Sequence, residues 1–473
     1  MNTLNLVINL HQFLKKLTKG LHHMPTDIRI KKGLDINLVG AAQKETNVLK
    51  DSDSYQINLD DFHGIVPKLL LKQCEKVKAG QGLFFNKDNE EMLFVSPVSG
   101  VIDEIKRGAR RRVLTITIKA DGTDSTEKLQ TVNLENDSAD QIKKALLAGG
   151  CWPFIKQRPY DIIANPADTP KGIFISGLDT APLAADLDYT LAGSEKYLQA
   201  AVTALGKLTS GSVHISVKGS SSVLAGLEGV QLHTVSGPHP AGLVGTLINK
   251  VDPINKGERV WTVNAADLEI IGKLLLEGEF DGSRTIAVAG SGVSKPSYVR
   301  VKLGAEIKTV LDAAGGLTDE NVRVINGNVL TGTGVASFRY LRFYNNSVTV
   351  IPEGNDYELF GWAKPVSNKV SITRALTLSW LNKRKKYNLN TNTNGEHRAF
   401  VLTGQYEQVF PLDIYPMQLL KSCMIKDLDE MEQLGLYEVA PEDFALTEFV
   451  CVSKQPHQKI IREALDLLHK EIG

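Results

Sequence analysis

The chain is poor in the residues that cross-link, ligate or anchor. It has four cysteines in 473 residues, Cys74, Cys151, Cys423 and Cys451, and no C-x-x-C pair. That excludes a disulfide framework and, on spacing, the thiolate sets of zinc ribbons and iron–sulfur clusters. The ten histidines are scattered apart from His22-His23, so no metal-ligand spacing stands out. No apolar run reaches the ~18–20 residues that a membrane-spanning helix needs. Charge of either sign is not in surplus: 54 Lys and Arg stand against 54 Asp and Glu. The chain as a whole therefore has no basic footprint for nucleic acid and no overall electrostatic pull toward an anionic membrane, and near-zero charge favours association.

Also missing are the phosphate-cradling G-x-G-x-x-G and G-x-x-x-x-G-K-S/T patterns in the α/β region, and any G-x-S-x-G nucleophile turn. The nearest substitutes are Gly149-Gly150, Gly219 with Ser220 to Ser222, and Gly290-Ser291-Gly292. Each lacks a third glycine and the acidic ribose partner, so each reads as a tight turn. Ser220 to Ser222 lie near His214 and His233 in sequence, but serines in a Gly/Ser loop are ordinary turn residues.

What is present is organised in blocks. The length exceeds one core, which stops growing near ~250–300 residues, and suggests roughly three domains. Residues 1–23 carry Leu4, Leu6, Val7, Ile8, Leu10, Phe13, Leu14 and Leu17, with lysines after the apolar run. This is an amphipathic pattern with charges on the wrong side for a signal peptide. It reads as a membrane-surface helix, as a plain extension, residues 1–27, or as sequence upstream of an initiator at Met24. From Ile28 to about Lys119 short alternating runs separated by Gly, Pro and Asn predict a small β domain. From about 132 to 282 apolar strands at 173–175, 213–217 and 230–235 alternate with helical patterns at 195–208 and 265–276, predicting a parallel α/β sheet. Residues 284–365 return to strands around a short helix at 307–314. Residues 382–397 read as a solvated linker, and the rest is helical, ending with 458–472.

Two loops stand out. Gly150-Cys151-Trp152-Pro153-Phe154-Ile155 sets two large aromatics around a proline, and Ser236-Gly237-Pro238-His239-Pro240-Ala241-Gly242 follows a strand. Ligands of α/β sheets lie beyond the carboxyl ends of strands. Trp152, Phe154 and His239 are thus candidates to contact a flat ring such as a quinone, aromatics by stacking and imidazole by donating to an oxygen. The competing reading is a rigid interdomain loop.

The piece 77–83 followed by Ser96-Pro97-Val98-Ser99-Gly100 resembles half of a biotinyl/lipoyl-type domain. Carrier forms hold a lysine at the hairpin, where Asn89-Glu90-Glu91-Met92-Leu93 has none, so a structural role is expected. More broadly, Ile28-Arg29-Ile30-Lys31-Lys32-Gly33-Leu34-Asp35, the Pro/His loop 236–242 and Arg398-Ala399-Phe400-Val401-Leu402-Thr403-Gly404-Gln405-Tyr406-Glu407 fall in one order. Pro411-Leu412-Asp413-Ile414, Pro441-Glu442-Asp443-Phe444-Ala445-Leu446 and Phe449-Val450-Cys451 follow. In this co-linear set the chain, from Ile28 on, resembles the A-subunit family of Na+-translocating NADH:quinone oxidoreductases. It departs from that family at 245–250, where a histidine-rich segment is usual, and at Thr447, where many relatives carry cysteine.

The resemblance implies a four-part fold. A biotinyl/lipoyl-like β domain spans 28–130, a Rossmann-like α/β domain 131–283, a β-grasp-like soluble-ligand-binding module 284–375, and a linker with helical domain 376–473. It implies a peripheral subunit on the cytoplasmic face of a bacterial inner membrane, partnered by integral membrane subunits of a six-subunit complex. NADH, flavins and an iron–sulfur cluster would sit in partner subunits, ubiquinone would be a possible ligand, and this chain would bind no redox cofactor, metal or nucleic acid. It also implies kinship with the complex I flavoprotein and with the C subunit of the Rnf complex, whose glycine loop corresponds to 149–153 with 177–182 here. The rival readings are a stand-alone NADH/flavin oxidoreductase and a non-respiratory ligand-binding scaffold.

Overall fold

The computed structural model describes residues 26–49, 52–335, 339–355, 358–361, 363–364, 368–373, 376 and 385–473. The amphipathic segment 1–23 and the start of the 382–397 linker lie outside them.

Alternating side chains between tight turns give two small antiparallel sheets in the first part. One runs Ser54–Asn58, Val113–Ala120, Gly100–Arg107 and Lys76–Val77, the other Pro67–Leu69, Gly82–Asn86 and Asn89–Val95. Phe84 and Phe94, register partners within the second sheet, stack at 4.4 Å, and Phe62, which follows the first sheet's strand Ser54–Asn58, meets Phe94 edge-on at 4.6 Å. The tight turn of the second sheet falls at Lys87 and Asp88, not at 89–93, which form the following strand. A lysine therefore does stand at that hairpin, flanked by Asn86 and Asp88.

The middle part holds a seven-stranded sheet in the order Thr26–Arg29, Gln231–Ser236, Ser212–Val217, Gly172–Ser176, Val260–Asn264, Ile155–Arg158, Ile162–Ile163. The first five strands are parallel and the last two join antiparallel. Its first strand comes from the start of the described chain, a segment whose alternation reads equally well as part of the β domain. Ile28 and Ile30 are buried with Phe174, Val235, Leu247 and Ile248, and that apolar contact selects the partner sheet. Helix Ala139–Ala148 starts in a Ser138/Gln141 capping box and buries Ile142, Leu146 and Leu147. Helix Glu195–Gly206 buries Leu198, Ala201, Val202 and Leu205, the face its spacing predicts.

The third part is a six-stranded mixed sheet, Thr333–Gly334, Val322–Asn326, Ser347–Pro352, Ser283–Ala289, Ser297–Lys302 and Gln43–Val48. Helices Pro416–Ile425, Leu428–Gln433, Ala445–Val450 and His457–Ile472 make the fourth. One apolar cluster runs through the first three parts, and a second fills the helical part. The described piece of the 382–397 segment is tied down: Tyr387 donates to Asn37 O (2.7 Å) and accepts from Val39 N (3.0 Å). Its polar composition hid that backbone pairing. Among the described residues, no helix is long and apolar enough to cross a membrane.

Candidate functional site

In an open sheet of this order the ligand crevice opens where successive connections leave in opposite directions. Here that point lies between strands Gly172–Ser176 and Val260–Asn264. The first leads towards Ser212–Val217 and Gln231–Ser236, and helix Val244–Val251 returns the chain to the other side.

The crevice is filled by the chain's own loops. Ser176 Oγ is 2.6 Å from Gly242 O and 2.9 Å from Leu178 O. Gly177 N donates to Ser216 O at 2.9 Å, and Gly242 N donates to Thr180 Oγ1 at 2.9 Å. A Cβ on Gly177 would stand 2.3 Å from Ser216 O, and one on Gly242 2.7 Å from Thr180 N. These glycines permit loop-on-loop packing, and two of the N–H groups that could cradle a phosphate already have partners. Asp186 caps the one-turn helix Leu187–Thr190, and its N–H donates to Tyr298 Oη of the third part at 2.9 Å. Asp188 accepts from Ser222 Oγ (2.6 Å) and Val223 N (3.0 Å). Across the crevice, Asp267 is buried against Arg284 at 2.8 Å. Burial pushes its carboxyl up to about 6 against the pull of the guanidinium.

His239 closes the same end. Its Nδ1 lies 3.1 Å from Thr180 Oγ1, its N–H donates to Asp35 Oδ1 at 3.0 Å, and its carbonyl accepts from Leu34 N at 2.8 Å. Burial pushes the imidazole down to about 4. Gly33 fits only without a side chain, since a Cβ would be 2.2 Å from His239 O; its N–H donates to Gln408 O at 3.0 Å. Three segments far apart in sequence, 28–35, 236–242 and the stretch after 398–407, meet here.

Trp152 and Phe154 lie elsewhere, in the cluster shared by the first three parts. Trp152 Nε1 donates to Ala164 O at 2.7 Å and its ring meets Trp261 edge-on at 5.4 Å. Phe154 stacks on Phe343 at 4.7 Å. Both aromatics and His239 are buried, and their neighbours differ: the aromatics pack with Trp261 and Phe343, His239 with Thr180 and Asp35. Gly149 and Gly150 serve the same packing as the aromatics, as Cβ atoms there would be 2.4 Å from Leu274 and from Val95.

Beside Phe343 a mixed pocket of 130 Å³ opens where all four parts meet, lined by Asp61, His63, Lys156, Asp161, Tyr344 and Arg462 with Ile162 and Ile163. Tyr344 donates to Pro153 O at 2.7 Å. Lys156 Nζ lies 4.4 Å from the Tyr344 ring centroid and 3.8 Å from Asp161, beyond hydrogen-bond reach. Asp61 accepts from Phe343 N at 2.8 Å and from Arg342; burial raises its pKa, opposed by Arg342.

Sequence reasoning missed the link that joins the α/β and helical parts. Arg158 is buried and donates to Asp443 (2.7 Å), Glu442 (3.0 Å) and Glu438 O (3.0 Å). The partners stand 285 positions apart, so only the acidic pair in Pro441-Glu442-Asp443 hinted at a distant cation. Cys151, Cys423 and Cys451 are buried and Cys74 exposed. Burial pushes Cys423 up to about 12, which makes it an inert thiol. Cys451 Sγ is 2.8 Å from Tyr406 Oη, and Thr447 Oγ1 is 2.9 Å from His457 Nδ1. Among the described residues no three His, Cys, Asp or Glu side chains converge as a metal site.

Comparison with known proteins covers most of the chain. Residues 28–121 match the NqrA N-terminal barrel-sandwich hybrid domain, 137–280 the NqrA second alpha/beta domain, and 285–337 the NQRA C-terminal domain. The chain is 36% identical over 450 residues to the A subunit of the Na(+)-translocating NADH-quinone reductase of Vibrio atlanticus, covering 94% of this chain and 100% of the relative. The same subunit of Yersinia pestis is 37% identical over 451 residues, and that of Neisseria meningitidis serogroup B 35% over 448, with the same coverage. A crystal structure of an NAD+-reducing nickel–iron hydrogenase is 14% identical and covers 46% of this chain and 48% of its own, with a TM-score of 0.35; that likeness carries no argument.

Proposed function

Because the chain belongs to the NqrA family, the A subunits of Na(+)-translocating NADH-quinone reductases, we propose that it is the redox-inert peripheral subunit of such a complex. Its work is to organise the assembly during ubiquinone reduction coupled to Na+ export. In this reading it sits on the cytoplasmic face of a bacterial inner membrane, held by integral membrane subunits of a six-subunit complex. NADH, flavins and the iron–sulfur cluster belong to those partners. The parts then correspond to a biotinyl/lipoyl-like domain (28–130, less its first two strands, which pair in the second and third sheets), a Rossmann-like domain (131–283), a β-grasp-like module (284–375) and a helical domain (376–473).

The observation that carries the reading is the crevice. Where a dinucleotide fold would admit its ligand, Thr180, His239 and Gly242 interlock and Asp186 is tied to Tyr298. Electrons do not cross a polypeptide of this size without a carrier, so the chain's contribution is geometric.

The test is the full chain purified alone and in its complex, followed by flavin absorbance, iron analysis and EPR. The expected result is no stoichiometric flavin or iron on the isolated chain; either one at unit stoichiometry overturns the reading. The quinone contact is part of the same proposal. Of Trp152, Phe154 and His239, we place it nearest Phe154, at the pocket where the Lys156 ammonium has no hydrogen-bonded partner among the described residues and a quinone oxygen can accept from it. A photoreactive quinone should label the Lys156 and Tyr344 segments, and Lys156→Ala should raise the complex's quinone KM. Labelling confined to partner subunits removes this part.

A further inference from the structure

The strands Gly100–Arg107 and Val113–Ala120 are joined by a hairpin tip reading Lys106-Arg107-Gly108-Ala109-Arg110-Arg111-Arg112. It holds five cations and no carboxylate within seven residues, in a chain whose formal net charge is zero. All five are exposed. Arg112 pairs with Asp60. Among the described residues no carboxylate pairs with Lys106, Arg107, Arg110 or Arg111. The closest acids along the strand are Asp103 and Glu104, and Glu104 lies about 7 Å back from Lys106 and about 10 Å from Arg107 at ~3.4 Å per residue.

The tip is also held in shape. Gly108 N donates to Arg112 O at 2.8 Å, and Arg107 Nη1 donates to Arg111 O at 3.0 Å. Arg110 and Arg111 both have positive φ, 53° and 60°. Glycine or asparagine is the ordinary choice there, since a Cβ disfavours the left-handed region. Arginine at both positions keeps charge where flexibility would be easier.

We propose that this tip is an electrostatic contact for the anionic phospholipid headgroups of the membrane surface. The inference rests on the proposed function, which puts the chain at a membrane complex. Guanidinium groups match phosphate oxygens bidentately and stay charged at any working pH. Clusters of four or more basic residues beside a membrane bind anionic headgroups in this way. A partner-protein contact is the weaker fit, because the tip has no aromatic or large aliphatic side chain to anchor a desolvated interface. For the same reason the contact lies on the headgroups and does not insert. Local charge thus works where the net charge of the whole chain is silent.

The experiment is sedimentation of the full chain with phosphatidylcholine vesicles, with and without phosphatidylglycerol, at low and at high salt. The chain should bind only the anionic vesicles and release in salt. Each basic residue at the surface is worth about fivefold in partitioning, so Arg107→Gln/Arg110→Gly/Arg111→Gly should bind roughly a hundredfold more weakly. The two glycines relieve the positive φ and offset the lost Arg107–Arg111 O bond, so the thermal unfolding midpoint should not fall; the all-glutamine triple variant removes the same charge and the same bond without the glycines. Failure of the unmodified chain to bind anionic vesicles, or equal binding by the variants, overturns the proposal. So does a chain that ignores vesicles but whose variants no longer co-purify with membrane subunits in detergent, since the tip would then dock on protein. Vesicle binding by a chain that never co-purifies with membrane subunits would sink the proposed function and leave this contact standing.

Discussion

Gly245 shows at the residue scale why the α/β and helical parts fit only one way. It sits in the first turn of helix Val244–Val251, where a Cβ would stand 2.3 Å from Asp443 Oδ1 and 2.5 Å from Arg158 Nη1. Burial works against the charge on Arg158, and Asp443, Glu442 and Asp161 more than offset it, so its pKa is raised. Two rules then give opposite signs for Gly245→Ala. Helix propensity alone favours alanine by up to ~1 kcal/mol. Wedging apart a buried ion pair works the other way, since breaking such a pair costs about 3–5 kcal/mol. We expect the packing term to win, with Gly245→Ala losing stability in urea denaturation and Asp443→Ala losing more. A more stable alanine variant would mean that the Arg158 contact yields without cost. No reading of 245–250 against a histidine-rich pattern exposes this constraint, because the cause lies in the partner residue and not in the segment.

Local pattern was legible at the scale of elements wherever periodicity and partner agree. Helix Glu195–Gly206 and strands Gly172–Ser176, Ser212–Val217 and Gln231–Ser236 follow the apolar spacing. Partner choice was not legible: Thr26–Arg29 alternates like any edge strand, yet it pairs in register with residues 233–236, more than two hundred positions on. The same limit hid the candidate site. The Trp152-Pro153-Phe154 turn looks like an exposed aromatic loop, but those residues form a buried 3-10 turn under Trp261 and Phe343. A loop between elements is normally at the surface; this one is covered because the third part packs over it. Trp152→Phe separates a packing role from a ligand role. It removes the Nε1 donor to Ala164 O and some core volume, for an expected loss of about 1–3 kcal/mol from the unsatisfied buried carbonyl. Unfolding should register that loss while the quinone KM of the assembled complex stays unchanged. A raised KM at normal stability would return Trp152 to the ligand.

Across the whole molecule, the two largest of five apolar clusters among the described residues raise the question whether the chain unfolds once or twice. The helical cluster is separate, but it includes Tyr160 of the α/β part. Arg462 of the last helix donates to Tyr160 O at 2.6 Å, and Arg158 reaches the other way to Asp443. Severing those bonds would leave buried charge uncompensated, which favours a single cooperative transition. Buried histidines in different parts provide the probe. Burial pushes His214 and His239 down to about 4, and His457, bonded through Nδ1 to Thr447, down to about 3. Each folded-state value lies below the unfolded ~6.5, so the unfolded chain takes the proton first. Their stabilising contribution is therefore complete above pH ~6.5 and is lost as pH falls towards the folded values. Asp267, pushed up to about 6, acts with the opposite sign over part of that window. His457→Gln and His239→Gln should both flatten the fall of the thermal midpoint between pH ~6.5 and ~4.5, and in a cooperative molecule both act on the same calorimetric transition. If His457→Gln instead changes only one of two resolved transitions, the helical part unfolds on its own and the Arg158 and Arg462 contacts do not couple it to the sheet.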